Sequence, residues 1–314
     1  MSQIALFTDH RSLITDPSKP VAANSITTWL LRIVCAVMFA GHGWVCWNGD
    51  MPLRALLWDE ELVSGAVKSL TGMDWGEWVS SMRVDDGINV AIRVQAWIFY
   101  AFAAAVLLPV RHLALGVVYF IATLNLAFLA WLKYHDAGVG IGQGLEHLSQ
   151  VAMPLALFLL VRGNRRSAIA VAMVAIAVTY VGHGLFAIDL PSQTIWLNHP
   201  RPGNFTEMTM LCFGLETEPP AVRILVAAGI VDIVAAVLIF AGRWPRSTGL
   251  LWMTMWGFLT ALARPWAYFE PTAAAETLDR WVPEALYRAP HFGLPLFLLL
   301  ALRRRRADLR DPQP

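Results

Sequence analysis

The chain has 314 residues, 57% of them hydrophobic and 15% charged, with a formal net charge of +1. A soluble domain carries about a quarter charged residues, and here the apolar residues gather in blocks long enough for bilayer-spanning helices of roughly 20 residues. An ordinary soluble globular domain is excluded. The near-neutral balance, with no soluble basic domain, argues against nucleic acid as a partner.

In chain order, the polar residues 1–23 form an expected cytoplasmic N-terminal segment without a cleavable signal peptide. Eight spans follow, at about 27–47, 88–110, 113–132, 145–162, 167–187, 222–241, 247–264 and 286–302. Each is expected to be an α-helix, because lipid offers no partner to open backbone groups. The short alternating segments of a β-barrel are missing. The predicted fold class is therefore all-α, a polytopic integral membrane protein of about eight transmembrane helices.

Basic residues orient the chain. Arg11, Lys19, Arg111, Arg162, Arg165, Arg166, Arg243, Arg246 and the Arg303–Arg306 run fall on one side. Acids such as Asp59, Glu60, Glu61, Asp74, Glu77, Asp85 and Asp86 fall on the other. The expected location is a bacterial inner membrane, with both termini cytoplasmic and two long outer loops near 48–87 and 188–221. Trp44, Trp47, Trp131, Trp266 and Trp281 sit near the predicted outer boundary, where indole rings favour the headgroup level. Asp74–Trp78 reads as a short amphipathic stretch on the membrane surface. Asn204-Phe205-Thr206 is a glycosylation sequon, meaningful only in a secretory-pathway host. Cys46 and Cys212 both fall on the outer side. They are candidates for a disulfide, with separate thiols as the alternative.

The second half of the chain echoes the first. Gly41-His42-Gly43 ends span 1 and Gly182-His183-Gly184 ends span 5. Ala91-Ile92-Arg93-Val94 opens span 2 and Ala221-Val222-Arg223-Ile224 opens span 6. Met153-Pro154-Leu155 and Leu294-Pro295-Leu296 each begin an apolar run that closes on arginine. The separation of His42 from His183 is the same as that of Pro154 from Pro295, and it defines a repeat length. The expected organisation is a first four-helix unit at 24–163, a second at 164–306 and a cytoplasmic tail at 307–314. An even number of spans per unit predicts a parallel repeat about the membrane normal.

A four-helix unit whose first helix closes on a Gly-His-Gly-type turn resembles the DoxX-like membrane family. This chain would then be a tandem member. The resemblance covers most of the chain and rests on Gly41, His42 and Gly43 with Gly182, His183 and Gly184. It implies redox-related membrane chemistry, since some members are associated with quinone-linked sulfur oxidation and others with redox defence complexes. The doubled unit and long outer loops depart from the simple family pattern.

Ionisable groups within spans are costly and need a partner or an aqueous path. His42, Arg93, Glu146 and His147 in the first half, and His183, Arg223 and His291 in the second, are expected near the outer ends of their helices as ligand-binding residues. Histidine and arginine can hydrogen-bond a quinone carbonyl, and Glu146 could pass protons. Haem held by His42 with His147, or by His183 with His291, is a less favoured cofactor, because His147 aligns with Arg288 and Gln150 with His291. Asp232, near the middle of span 6, is a candidate proton relay or cation ligand, and it corresponds to Phe102 in the first half when the Arg93 and Arg223 motifs are matched. No metal is expected, and no Cys pair has zinc-ribbon spacing. Purely structural roles compete with each of these: the Gly-His-Gly motif as a helix end, the arginines snorkelling to headgroups, and Asp232 protonated and bonded to a carbonyl.

Three function classes remain open at this level. The first is a redox-associated protein that binds a quinone or other lipophilic ligand as part of, or accessory to, an oxidoreductase, with a redox partner subunit supplying electrons. The others are a small-solute or proton-coupled transporter and a non-catalytic membrane anchor.

Overall fold

The computed structural model describes residues 25–49, 53–109, 113–136, 141–189 and 201–310. The N-terminal residues 1–24, Arg111, residues 190–200 of the expected second outer loop and the chain end at 311–314 lie outside the described residues. All regular structure among the described residues is helical. The long helix α1 (Ile26–Trp47) is followed by three short ones, α2 (Leu53–Leu57), α3 (Glu60–Thr71) and α4 (Trp75–Ser80). Then come α5 (Met82–Leu107), α6 (Leu113–Asp136), α7 (Ile141–Glu146), α8 (Leu148–Val161) and α9 (Arg165–Ile188). The chain continues through α10 (Gly203–Phe213), α11 (Glu218–Leu238), α12 (Arg243–Ala267), a 3-10 turn at Pro271–Ala273, α13 (Ala274–Tyr287) and α14 (Ala289–Arg310).

Local chemistry sets the ends of these helices. Ser25 caps α1 by accepting from the Thr28 amide at 3.3 Å, Asp59 caps α3 through the Leu62 amide, and Asn164 caps α9 through the Ser167 amide, each satisfying an orphan first-turn donor. The left-handed Gly72 ends α3, a conformation glycine adopts without a Cβ penalty. Pro219 and Pro220 open α11, where a missing amide hydrogen costs nothing.

Seven stretches among the described residues are long and apolar enough to cross a membrane: Ile26–Trp47, Met82–Leu107, Leu115–His135, Gly144–Val161, Arg165–Ile188, Glu218–Leu238 and Pro271–Leu302. The chain is an integral membrane protein by this measure. The eighth expected span, 247–264, lies inside α12, a helix of full length. It is not among these seven, so the described residues hold seven such stretches where eight spans were expected. Large apolar side chains on the outer faces, among them Trp97, Phe120, Val237, Leu251 and Phe258, are exposed, as suits helices solvated by lipid.

The expected outer loop 48–87 is mostly helical. Arg54 from α2 forms an ion pair with Asp85 and reaches Asn89 on α5 at 2.5 Å. The Trp78 indole donates to the Leu57 carbonyl at 2.9 Å, which ties the Asp74–Trp78 stretch down onto α2. No disulfide joins Cys46 to Cys212; Cys46 is buried and the Cys212 thiol points at the Ala263 carbonyl.

The centre is built from α1 and α9. Helix α1 packs on α5, and α9 packs on α11; α1 also meets α13 and α14, while α9 meets α7 and α8. The first helix of each half is thus clasped by the last segments of the other. Those last segments are alike. Helices α7 and α8 break at His147, and α13 and α14 break at Arg288. A proline follows within the next helix in both, Pro154 and Pro295. Both the breaks and the prolines are separated by the repeat length that relates His42 to His183.

Candidate functional site

The Gly-His-Gly motifs do not end their helices. Each lies within its helix, since α1 continues to Trp47 and α9 to Ile188. The glycines are there for close approach. A Cβ on Gly41 would come within 2.5 Å of the Tyr287 amide nitrogen and 2.8 Å of the Pro283 carbonyl oxygen. On Gly182 it would meet the Leu145 side chain at 3.0 Å and the Glu146 amide nitrogen at 3.1 Å. The contacted segments are again one repeat length apart, Tyr287 standing where Glu146 does. Gly41 and Gly182 therefore dock α1 and α9 against matching stretches of the opposite half.

That docking carries both histidines inward, into two polar clusters. In the first, buried His42 donates through Nε2 to Gln150 Oε1 at 2.9 Å. Its ring lies between two aromatics, with centroids 4.9 Å from Tyr287 and 5.2 Å from Phe99. In the second, His183 Nε2 stands 3.2 Å from Glu146 Oε1, and the His183 ring stacks on His291 at 5.0 Å. His42 and His183, Gln150 and His291, and Glu146 and Tyr287 are all equivalent pairs under the repeat. Each cluster takes its first two members from one half and its third from the other.

Two side-chain nitrogens at matching positions, Gln150 Nε2 and His291 Nε2, are buried without a hydrogen-bond partner. The His183 nitrogen facing Glu146 lies at ion-pair distance but forms no well-directed hydrogen bond. An unmet buried polar group costs about 1–3 kcal/mol, and Tyr119 OH, Ser149 Oγ and two Arg32 nitrogens are in the same condition.

A charged belt surrounds the clusters. Glu284 accepts from Arg264 Nε and from Arg288 Nη1, both at 3.0 Å. The Lys133 ammonium sits 4.5 Å over the Tyr287 ring, and the Arg288 guanidinium lies 5.0 Å from it. Arg288 acts electrostatically on both His42 and Glu146, so the two clusters share one field. His147 is buried between α7 and α8, and its carbonyl accepts from Gln150 and Val151.

The structure therefore brings His42, Glu146, His147, His183 and His291 together. It separates Arg93 and Arg223 from them. Both arginines are on exposed faces of α5 and α11, because those helices turn their small and apolar residues, such as Ile92, Ala96 and Gly229, toward α1 and α9. Snorkelling accounts for such a placement. Asp232 makes no hydrogen bond to either cluster, although His183 is near enough to act on it electrostatically. It is buried, and the Trp252 indole of α12 donates to its Oδ1 at 2.7 Å. The matching Phe102 is simply part of the apolar core.

Haem suits neither cluster. Axial imidazoles stand on opposite faces of a porphyrin, whereas the His183 and His291 rings stack directly on each other, with centroids 5.0 Å apart and planes 26° from parallel. His42 is engaged by Gln150 rather than paired with His147. Donor atoms of Glu146, His183 and His291 all lie within 4.8 Å of one another, a grouping the sequence did not reveal.

Sequence reasoning missed Tyr287, Glu284, Arg288 and Arg264 as site residues. The repeat length was available for Tyr287, because it maps Glu146 directly onto that position. Nothing in the sequence pointed to Glu284 or Arg264, which reach the site from α13 and α12. Arg32 was a further surprise. It is fully buried, and its Nη1 donates to the Val106 and Leu108 carbonyls at 2.6 and 2.5 Å, satisfying orphan acceptors at the end of α5.

Comparison with protein-family models, curated proteins and solved structures gave no significant match.

Proposed function

We propose that this is a redox-associated protein of a bacterial inner membrane, both termini cytoplasmic, which binds a quinone-like lipophilic ligand between two DoxX-like four-helix units. It works as a membrane subunit of, or accessory to, an oxidoreductase. The observation that carries this reading is the His42–Gln150–Tyr287 cluster at the seam between the halves. It offers an amide donor to a carbonyl-bearing ring. The Gln150 amide, with a buried Nε2 and no partner, is the donor for one ligand carbonyl. Phe99 and Tyr287 already hold one flat ring, His42, and supply the aromatic surroundings that a quinone ring prefers. No sequence motif for a resident electron carrier is present, so a partner subunit would supply the electrons.

The transporter reading gains less support. Asp232, its main motive, is engaged by the Trp252 indole.

The test is purification in mild detergent, followed by solvent extraction and mass analysis of bound lipids. Co-purified quinone at near one equivalent, lost from Gln150→Ala and His42→Ala, supports the proposal. Protein that carries no quinone and shows no saturable binding of a soluble ubiquinone analogue overturns it.

A further inference from the structure

We infer that Glu146, His183 and His291 form a binding site for a divalent first-row transition-metal ion. This stands independently of the quinone reading, which concerns the neighbouring His42–Gln150–Tyr287 cluster.

Three observations carry the assignment. First, one donor atom from each residue falls within 4.8 Å of the others. The three residues come from α7, α9 and α14, which α9 holds together by packing on both other helices. Two imidazoles and one carboxylate are a ligand set that binds zinc or iron(II) and leaves a position open. A bound ion with ligand distances of ~2.0–2.2 Å needs donors roughly 3 Å apart, so ligation closes the cluster by side-chain rotation of about an ångström.

Second, His291 is already set up as a ligand. Its Nδ1 lies 3.0 Å from the Arg288 carbonyl oxygen. A carbonyl only accepts, so Nδ1 carries the hydrogen and Nε2 presents a lone pair. That Nε2 is buried and has no hydrogen-bond partner, on a residue only 1% exposed. A backbone carbonyl fixing the far nitrogen is the usual way a ligating histidine is oriented.

Third, the sibling cluster shows what the same architecture looks like without metal donors. Gln150 stands where His291 does and Tyr287 where Glu146 does. There the histidine has a proper hydrogen bond at 2.9 Å. In the second cluster His183 Nε2 has no well-formed hydrogen bond despite the nearby carboxylate. The two differ in the way a ligand set differs from a hydrogen-bonded core.

The test uses the full-length protein, tag-free and stripped with chelator in detergent, titrated with Co2+ and read by visible absorption and by elemental analysis after desalting. One equivalent of Co2+ with a ligand-field spectrum is expected. Glu146→Gln, His183→Ala and His291→Ala should each weaken binding at least tenfold. His42→Ala and Gln150→Ala should retain the wild-type equivalent and spectrum. Glu146→Gln is nearly isosteric, and a thermal melt matching wild type shows that its loss of metal is not a folding defect. No Co2+ bound by the wild-type protein overturns the site, as does wild-type binding by a folded Glu146→Gln variant. Neither outcome bears on quinone extraction, which is read separately.

Discussion

Glu146 and Tyr287, equivalent positions of the two halves, each leave their own half and meet the histidine of the other. Glu146 stands 3.2 Å from His183, and the Tyr287 ring stacks on His42 at 4.9 Å. The two polar clusters are therefore products of the seam, and the packing that forms the seam is open to direct tests.

The glycines at the seam are intolerant of side chains. A Cβ on Gly41 would sit 2.8 and 2.9 Å from backbone atoms of Pro283 and Leu286, and backbone cannot rotate away. Gly41→Ala is expected to lose about 1–3 kcal/mol through overpacking. Gly65→Ala in α3, where nothing lies within 4 Å, should gain slightly from helix propensity. Thermal unfolding in detergent compares the two, and equal melting of both variants would refute the close-packing role.

Glu284 holds two guanidinium groups at 3.0 Å in a partly buried setting. Glu284→Gln leaves both cations uncompensated and is expected to cost about 3 kcal/mol. Adding Arg264→Met to that variant removes one orphan charge and should recover part of the loss. A double variant no more stable than Glu284→Gln alone would show that the belt does not act as a unit.

Asp232 serves as an acceptor for the Trp252 indole. Asparagine preserves a carbonyl oxygen at that place, so Asp232→Asn should remain close to wild type in stability. Asp232→Leu strands the indole donor and should cost about 1–3 kcal/mol. Tryptophan fluorescence through a denaturant series reads both. A destabilised Asp232→Asn would mean that the charge, rather than the acceptor, matters.

The three cysteines should titrate as thiols. Cys46 and Cys212 are not bridged, so protein unfolded without reductant is expected to react with three equivalents of a maleimide, one per cysteine in the chain. A count of one would place a disulfide where none stands.

Much of the helical scaffold was legible because lipid imposes a long apolar period on each span. Ile26–Trp47 matches its expected span to within a residue at the N-terminus. Helix α12 covers its expected span as a helix but is not among the stretches apolar enough to cross a membrane. The Gly-His-Gly motif was legible as a landmark and misread as a terminus, because glycine inside a membrane helix serves close packing as readily as it ends a helix. Arg93 and Arg223 looked equivalent to the histidines in depth. Depth says nothing about which face of a helix a residue occupies, and both fall on the exposed one. Tyr287 carries no charge and follows no motif, so only its repeat equivalence to Glu146 could have singled it out.

The crossed construction limits how such a protein can be divided. A polypeptide ending near Gly163 would carry His42 and Gln150 yet lack Tyr287, and its Glu146 would have no histidine to meet. Such a half could complete its pockets only by pairing with a second copy about a twofold axis, when both pockets would be identical. Covalent fusion removes that identity requirement. It leaves one pocket free to keep glutamine and tyrosine while the other holds histidine and glutamate, so a single chain can carry two different chemistries in one symmetric frame.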